Sequence, residues 1–133
     1  MATSPIFVGT AKSPAARATV ANTNRDGATG TYVTLFTAGA SGSFFKGFEW
    51  QSEEDATAAN AVRLFVQNAA SGNFELIYEA IIAATTFVVG VTPAVRGEWY
   101  PPGGIVLTAL SVVKMSIHDT DTISGRLTGG GDY

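Results

Sequence analysis

Cysteine is absent from all 133 residues, which excludes a disulfide framework, a thiolate metal site and a cysteine nucleophile. Charge is scarce as well. Lys, Arg, Asp and Glu make up 14% of the chain, against about 25% in an average soluble domain. The 8 basic and 11 acidic residues leave a net charge of -3. That balance argues against non-specific nucleic-acid binding, which depends on dense Lys/Arg patches. No apolar run reaches ~18 residues, so no membrane-spanning helix is expected. The opening Met1-Ala-Thr-Ser-Pro5 lacks a basic stretch followed by an apolar one, so no secretory signal is expected.

Hydrophobic residues, in contrast, form 46% of the chain, enough to build a packed core. A chain of this length is one domain by size. On folding it buries roughly two-thirds of its unfolded surface without needing staples.

Residues 1–15 read as an extended N-terminal arm. Pro5 and Pro14 discourage helix, and a stretched segment of this length spans roughly 50 Å. A frayed terminus is the plain alternative, but the apolar cluster Ile6-Phe7-Val8 favours a segment that lies on something. The single domain is then expected over 16–133. Its short β-branched and aromatic runs predict strands at 16–21, 31–37, 44–51, 62–67, 74–81, 86–91, 95–99, 105–109, 112–118 and 122–127. Within 44–51, alternation places Phe44, Phe48 and Trp50 on one face, with Phe45 and Glu49 on the other. Asn22-Thr-Asn-Arg-Asp-Gly27, Ala38–Gly42 and Pro101-Pro-Gly-Gly104 are turn or breaker segments. Strands at this spacing predict an all-β fold, an antiparallel β-sandwich or jelly roll. One stretch dissents: Ser52-Glu-Glu-Asp55 before an alanine-rich run reads as an acidic loop or a single helical turn capped by Ser52.

Candidate chemistry is sparse. His118, the only histidine, could pair with Asp119, or join Asp119 and Asp121 at a metal. A strand-end histidine beside a polar turn is the plainer reading, because a hydrolase needs a nucleophile, base and orienter that converge. No Gly-x-Ser-x-Gly or His-Glu-x-x-His motif supplies them. Glu53, Glu54 and Asp55 lack the spacing of a calcium loop, and Asp26-Gly27 reads as turn chemistry. The glycines before Asp132 and Tyr133 follow no strand-then-helix context, so they read as a flexible or edge-pairing tail rather than a phosphate cradle. No enzyme, cofactor or metal is therefore expected. The best binding alternative is a sugar-stacking platform of Trp50, Trp99 and Tyr100, although such aromatics more often pack in a core.

The segment Thr19-Val-Ala-Asn-Thr-Asn-Arg-Asp-Gly-Ala-Thr-Gly-Thr31 resembles a signature of small virion structural proteins of tailed bacteriophages and prophages. The likeness continues through Thr37-Ala-Gly-Ala-Ser-Gly42, Val62-Arg-Leu-Phe-Val66 and the ending Gly129-Gly-Gly-Asp-Tyr133, in the same order along the chain. Residues 85–104 are less similar. The resemblance implies a virion component on the capsid surface, made in the host cytoplasm. Within that family it suggests a head decoration or cement protein, with the major capsid protein and itself as partners, as a homotrimer. Neither nucleic acid nor membrane is an expected partner. The alternative is a tail- or fibre-associated module that binds a carbohydrate or receptor. The residues expected at interfaces are Ile6, Phe7 and Val8 in the arm, Trp99 and Tyr100 at the break, and Tyr133 at the tail.

Overall fold

The computed structural model describes residues 8–53, 59–67, 72–86, 88, 90–91 and 93–133. These form strands β1 (Thr10–Lys12), β2 (Ala15–Ala18), β3 (Val33–Thr37), β4 (Ser43–Phe45), β5 (Gly47–Ser52) and β6 (Asn60–Gln67). They continue with β7 (Glu75–Ile82), β8 (Arg96–Trp99), β9 (Ile105–Leu107), β10 (Val112–Ile117), β11 (Ile123–Thr128) and β12 (Gly130–Asp132). Three four-stranded ladders result, in the orders β1-β12-β4-β9, β2-β11-β5-β8 and β3-β10-β6-β7, and every neighbouring pair is antiparallel.

The first two ladders are one sheet with a corner in it. Each strand of one runs directly in sequence into a strand of the other: β1 into β2, β4 into β5, β8 into β9, β11 into β12. The breaks fall at one level, at Ser13-Pro14, at Lys46, at 100–104 and at Gly129. Backbone bonds from Leu127 to Pro14 (3.1 Å) and from Lys46 to Thr128 (2.9 Å) carry the pairing around the bend. Gly129 turns there with φ of 69°, a conformation that suits glycine. Counted as continuous strands, the described residues form eight. One sheet runs first-eighth-third-sixth, and the other second-seventh-fourth-fifth. This is the doubled Greek-key order of a jelly roll.

The core lies between these sheets and includes Phe45, Phe48, Leu64, Met115, Ile117, Ile123 and Leu127, all essentially solvent-free. β6 is buried on both faces. Val62, Leu64 and Val66 point into the core, and Ala61, Arg63 and Phe65 are covered from outside. That accounts for its nearly unbroken apolar run.

The expected all-β sandwich is what forms, with four differences in detail. The faces of 44–51 do not alternate as predicted. Lys46 is an irregular residue at the corner, so Phe45 and Phe48 both turn inward and Phe44 faces out. At 86–91 the described residues form no strand; Val91 donates to Val88 O (3.0 Å) to close a turn. The segment expected as an arm joins the sheet from Thr10 on, where Thr10, Ala11 and Lys12 pair with Asp132, Gly131 and Gly130. Residues 1–7, with Ile6 and Phe7, lie outside the described residues. The glycine tail is an interior strand, β12, held between β1 and β4. The loop or helical turn expected after Ser52 falls mostly on residues 54–58, also outside the described set.

Candidate functional site

The turn-rich segment 19–32 crosses the outer face of the β3-β10-β6-β7 sheet, is braced by its own polar side chains, and is fastened to the sheet by Arg25, by Arg63 and by Lys114. Asn22, itself buried, accepts from the Asn24 backbone N–H (3.0 Å) and donates to Thr31 O (3.0 Å). Asp26 accepts from the Ala28 and Thr29 backbone N–H groups and from the Thr29 hydroxyl. These bonds, those of Thr29 foremost, hold its carboxyl well below the usual carboxylate range. Gly27 packs on Phe74 and offers its carbonyl to Lys114 Nζ (2.5 Å). That ammonium also sits over the Phe74 and Tyr32 rings, at 3.6 and 4.0 Å from their centroids. Burial pushes the Lys114 amine down from its ordinary value.

Beneath this segment lies Arg63, whose side chain is 2% exposed. It donates Nε to Glu79 Oε2 (2.5 Å) and Nη1 to Asn22 O (2.9 Å), and its Nη2 lies 2.8 Å from His118 Nδ1. A guanidinium only donates. His118 Nδ1 is therefore the acceptor of this contact. Glu79 also takes Arg25 Nε (3.0 Å). Desolvation alone would raise its carboxyl, but the bonds from Arg63 and Arg25 outweigh that and hold it low. A charge in the middle of Val62-Arg-Leu-Phe-Val66 was the available sequence signal for a buried, partnered arginine; the network itself was missed.

This assigns the residues singled out for chemistry to other work. His118 faces Arg63 rather than forming a dyad with Asp119. Asp119 and Asp121 organise a turn, with Asn60 Oδ1 accepting from the Asp119 N–H (2.7 Å) and Asp121 Oδ2 accepting from Ser52 Oγ (2.8 Å). Glu53 accepts from Ser124 Oγ (2.6 Å) and pairs with Arg17 (3.0 Å). Among the described residues no three His, Asp or Glu side chains converge on a point that could hold a metal ion.

The aromatics do not form one platform. Trp50 is buried over Gly97, with its Nε1 3.3 Å from Tyr78 Oη. Trp99 also points inward, stacked on Tyr78 at 5.0 Å and 16°, and so joins the open ends of β7 and β8. Tyr100 alone of the three is well exposed. Its ring covers Gly47 and its hydroxyl donates to Glu49 (2.6 Å). Glu49 also receives Arg126 through Nη2 (2.6 Å) and Nε (2.9 Å), and these bonds keep its carboxyl low.

Two surfaces remain open on the cornered sheet. Over β2-β11-β5-β8 a shallow groove of about 730 Å³ is lined by polar groups, among them Glu49, Gln51, Arg96, Glu98, Ser124 and Arg126. Over β1-β12-β4-β9 the outer face is apolar. Ala11, Gly131, Phe44 and Val106 are cross-strand neighbours in one row, which ends on the edge strand β9 with Val106 63% exposed. Exposed Leu110 and Tyr133 lie past the ends of β9 and β12, both bonded through their backbone N–H groups to the 39–42 turn. Of the residues expected at interfaces, Tyr100 and Tyr133 are thus exposed, Val8 is partly buried just before β1, and Trp99 packs against the core. Compared with known proteins, the chain matches no family model and no curated sequence.

Proposed function

We propose that this chain is a structural protein of a tailed-bacteriophage virion, a decoration or cement protein that binds the head shell as an oligomer and stabilises it. The observation that carries this reading is the apolar row Ala11–Gly131–Phe44–Val106, which ends on the edge strand β9. An apolar row beside a free edge offers a partner both side-chain burial and backbone pairing. Leu110 and Tyr133, past the ends of β9 and β12, are exposed as well, and exposed apolar surface of this kind marks interaction sites. The jelly-roll order supports the reading by analogy only, since capsid and lectin domains share it with other functions. The 14% charge fits as well, because a surface covered in the assembled state has less need of charge.

Val106→Asp tests this directly. Its side chain is exposed and adds nothing to the core, so the variant is expected to fold and melt like the wild type. Burying an unpaired carboxylate at an interface costs several kcal/mol, so binding to undecorated head shells should fall by about a hundredfold or more. Shell binding equal to that of the wild type would contradict the assignment of this face.

A further inference from the structure

We infer that two copies of this chain pair through strand β8, antiparallel and about a twofold axis at Gly97. β8 ends its ladder, so among the described residues one side of its backbone is unpaired. Which groups face out follows from the register with β5. Ser52 N donates to Val95 O at 2.8 Å, and the next pairs along are Gln51 with Arg96, Trp50 with Gly97 and Glu49 with Glu98. Antiparallel ladders alternate bonded and non-bonded pairs. Val95 and Gly97 therefore spend their backbone groups on β5, while the N–H and C=O of Arg96 and Glu98 point to the free edge.

The side chains carry the second half of the argument. Arg96 and Glu98 are both exposed and project from the same face, two residues apart. The ion pairs of this face are closed within the chain, Glu49 with Arg126 and Glu53 with Arg17; Arg96 and Glu98 close none among the described residues, and Arg96 acts on Glu49 only through its field. An antiparallel pairing centred on Gly97 places Arg96 opposite Glu98 of the second copy, and Glu98 opposite its Arg96. The outward backbone groups then form four bonds, two at each such pair. Opposite charges directly across a ladder stabilise it, and like charges oppose it. Residue i meeting j while j meets i is the rule of an isologous contact.

The flank of the same edge adds apolar surface. β7 is the edge strand of the facing sheet, and the Tyr78–Trp99 stack puts it on the side where β8 lies. Val88 and Val91 in the connection to β8 are exposed. Pro101 and Pro102 end the free edge just past β8, which confines the pairing to one short strand. A twofold axis here replaces the threefold that the family resemblance implies, and the inference does not rest on the virion reading.

Sedimentation across the micromolar range tests it. The wild type is expected to shift with concentration from its 13.8 kDa monomer to a dimer of twice that mass. Arg96→Glu alone, or Glu98→Arg alone, sets like charges opposite each other twice and should weaken association about tenfold or more. Mixing the two single variants restores both pairs, so a mixed dimer is expected. Arg96→Glu combined with Glu98→Arg exchanges the partners within each pair, and should dimerise like the wild type even if either single variant folds poorly. A wild type that stays monomeric through the range, or forms a trimer, overturns the inference. So do single variants that dimerise like the wild type, or a mixture that fails to recombine.

Discussion

Replacing Arg63 with Ala is expected to lower the unfolding free energy by about 3–5 kcal/mol, the cost of removing one member of a buried charged network. Three acceptors lose their donor at once: Glu79 Oε2, the Asn22 carbonyl and His118 Nδ1. Arg25 still reaches Glu79 from the solvent side, but nothing replaces the other two bonds. Arg63→Lys should recover only part of the loss, because a single ammonium cannot aim at three directions as a planar guanidinium does. The damage has a location. Segment 22–32 is fastened to the sheet through this arginine, so its amides should exchange with solvent faster in both variants. It also has a pH signature. Glu79 sits below its ordinary value of 4.5 in the folded protein, so its contribution is present above that pH and is lost as pH falls through the lower folded value. Without Arg63 the carboxyl returns toward its ordinary value, and stability below about pH 4.5 should fall less steeply. Denaturant unfolding across pH measures both effects. A loss under about 1 kcal/mol for Arg63→Ala would mean the network adds little beyond a surface pair.

Gly130→Ala is expected to cost about 3 kcal/mol, at the upper end of overpacking effects. Gly130 lies in β12 between β1 and β4, and a Cβ there would run into the carbonyl oxygen of Phe44. That obstacle is backbone, so no rotamer change relieves it. Gly103→Ala separates close approach from backbone conformation. Gly103 has φ of 79° but nothing within 4 Å of a built Cβ, so only the left-handed strain of roughly 1–2 kcal/mol applies. Thermal unfolding of the two variants should therefore rank Gly130→Ala well below Gly103→Ala. The reverse order would place the tail outside the sheet.

What could be read from the sequence follows from where side chains alone determine local structure. Strands such as β6, β7 and β11 carry β-branched and aromatic residues between turn signals, and they lie close to where alternation predicts them. β12 is different. Gly-Gly-Asp has no side-chain pattern and weak strand preference; what makes it a strand is the space between β1 and β4, where backbone stands against the Cβ positions of Gly130 and Gly131. The run Thr86-Phe-Val-Val-Gly-Val91 is the opposite case. Its composition favours a strand, yet its described residues form none: apolar β-branched residues form one only where a neighbouring strand accepts them, and Val91 instead stands 79% exposed. The corner hid the faces of 44–51, because period-two reading assumes a continuous strand and Lys46 resets the count.

For the candidate site, the turn residues 22–27 were legible as a turn, but not as a cover for Arg63, since that depends on contacts 41 residues apart. Arg96-Gly-Glu98 carried a readable signal of its own. Opposite charges flanking a glycine within a strand of four residues suit a self-complementary edge. Recognising the edge required the ladder order, which no local pattern contains.

The most direct measurement is imaging of particles made from the genome that encodes this chain. Jelly-roll density on the outside of the head shell, with the β9 edge and the Phe44–Val106 row turned toward the capsid protein, is the expected result. Density confined to the tail, or purified particles that lack the protein altogether, would contradict a role in decorating the head.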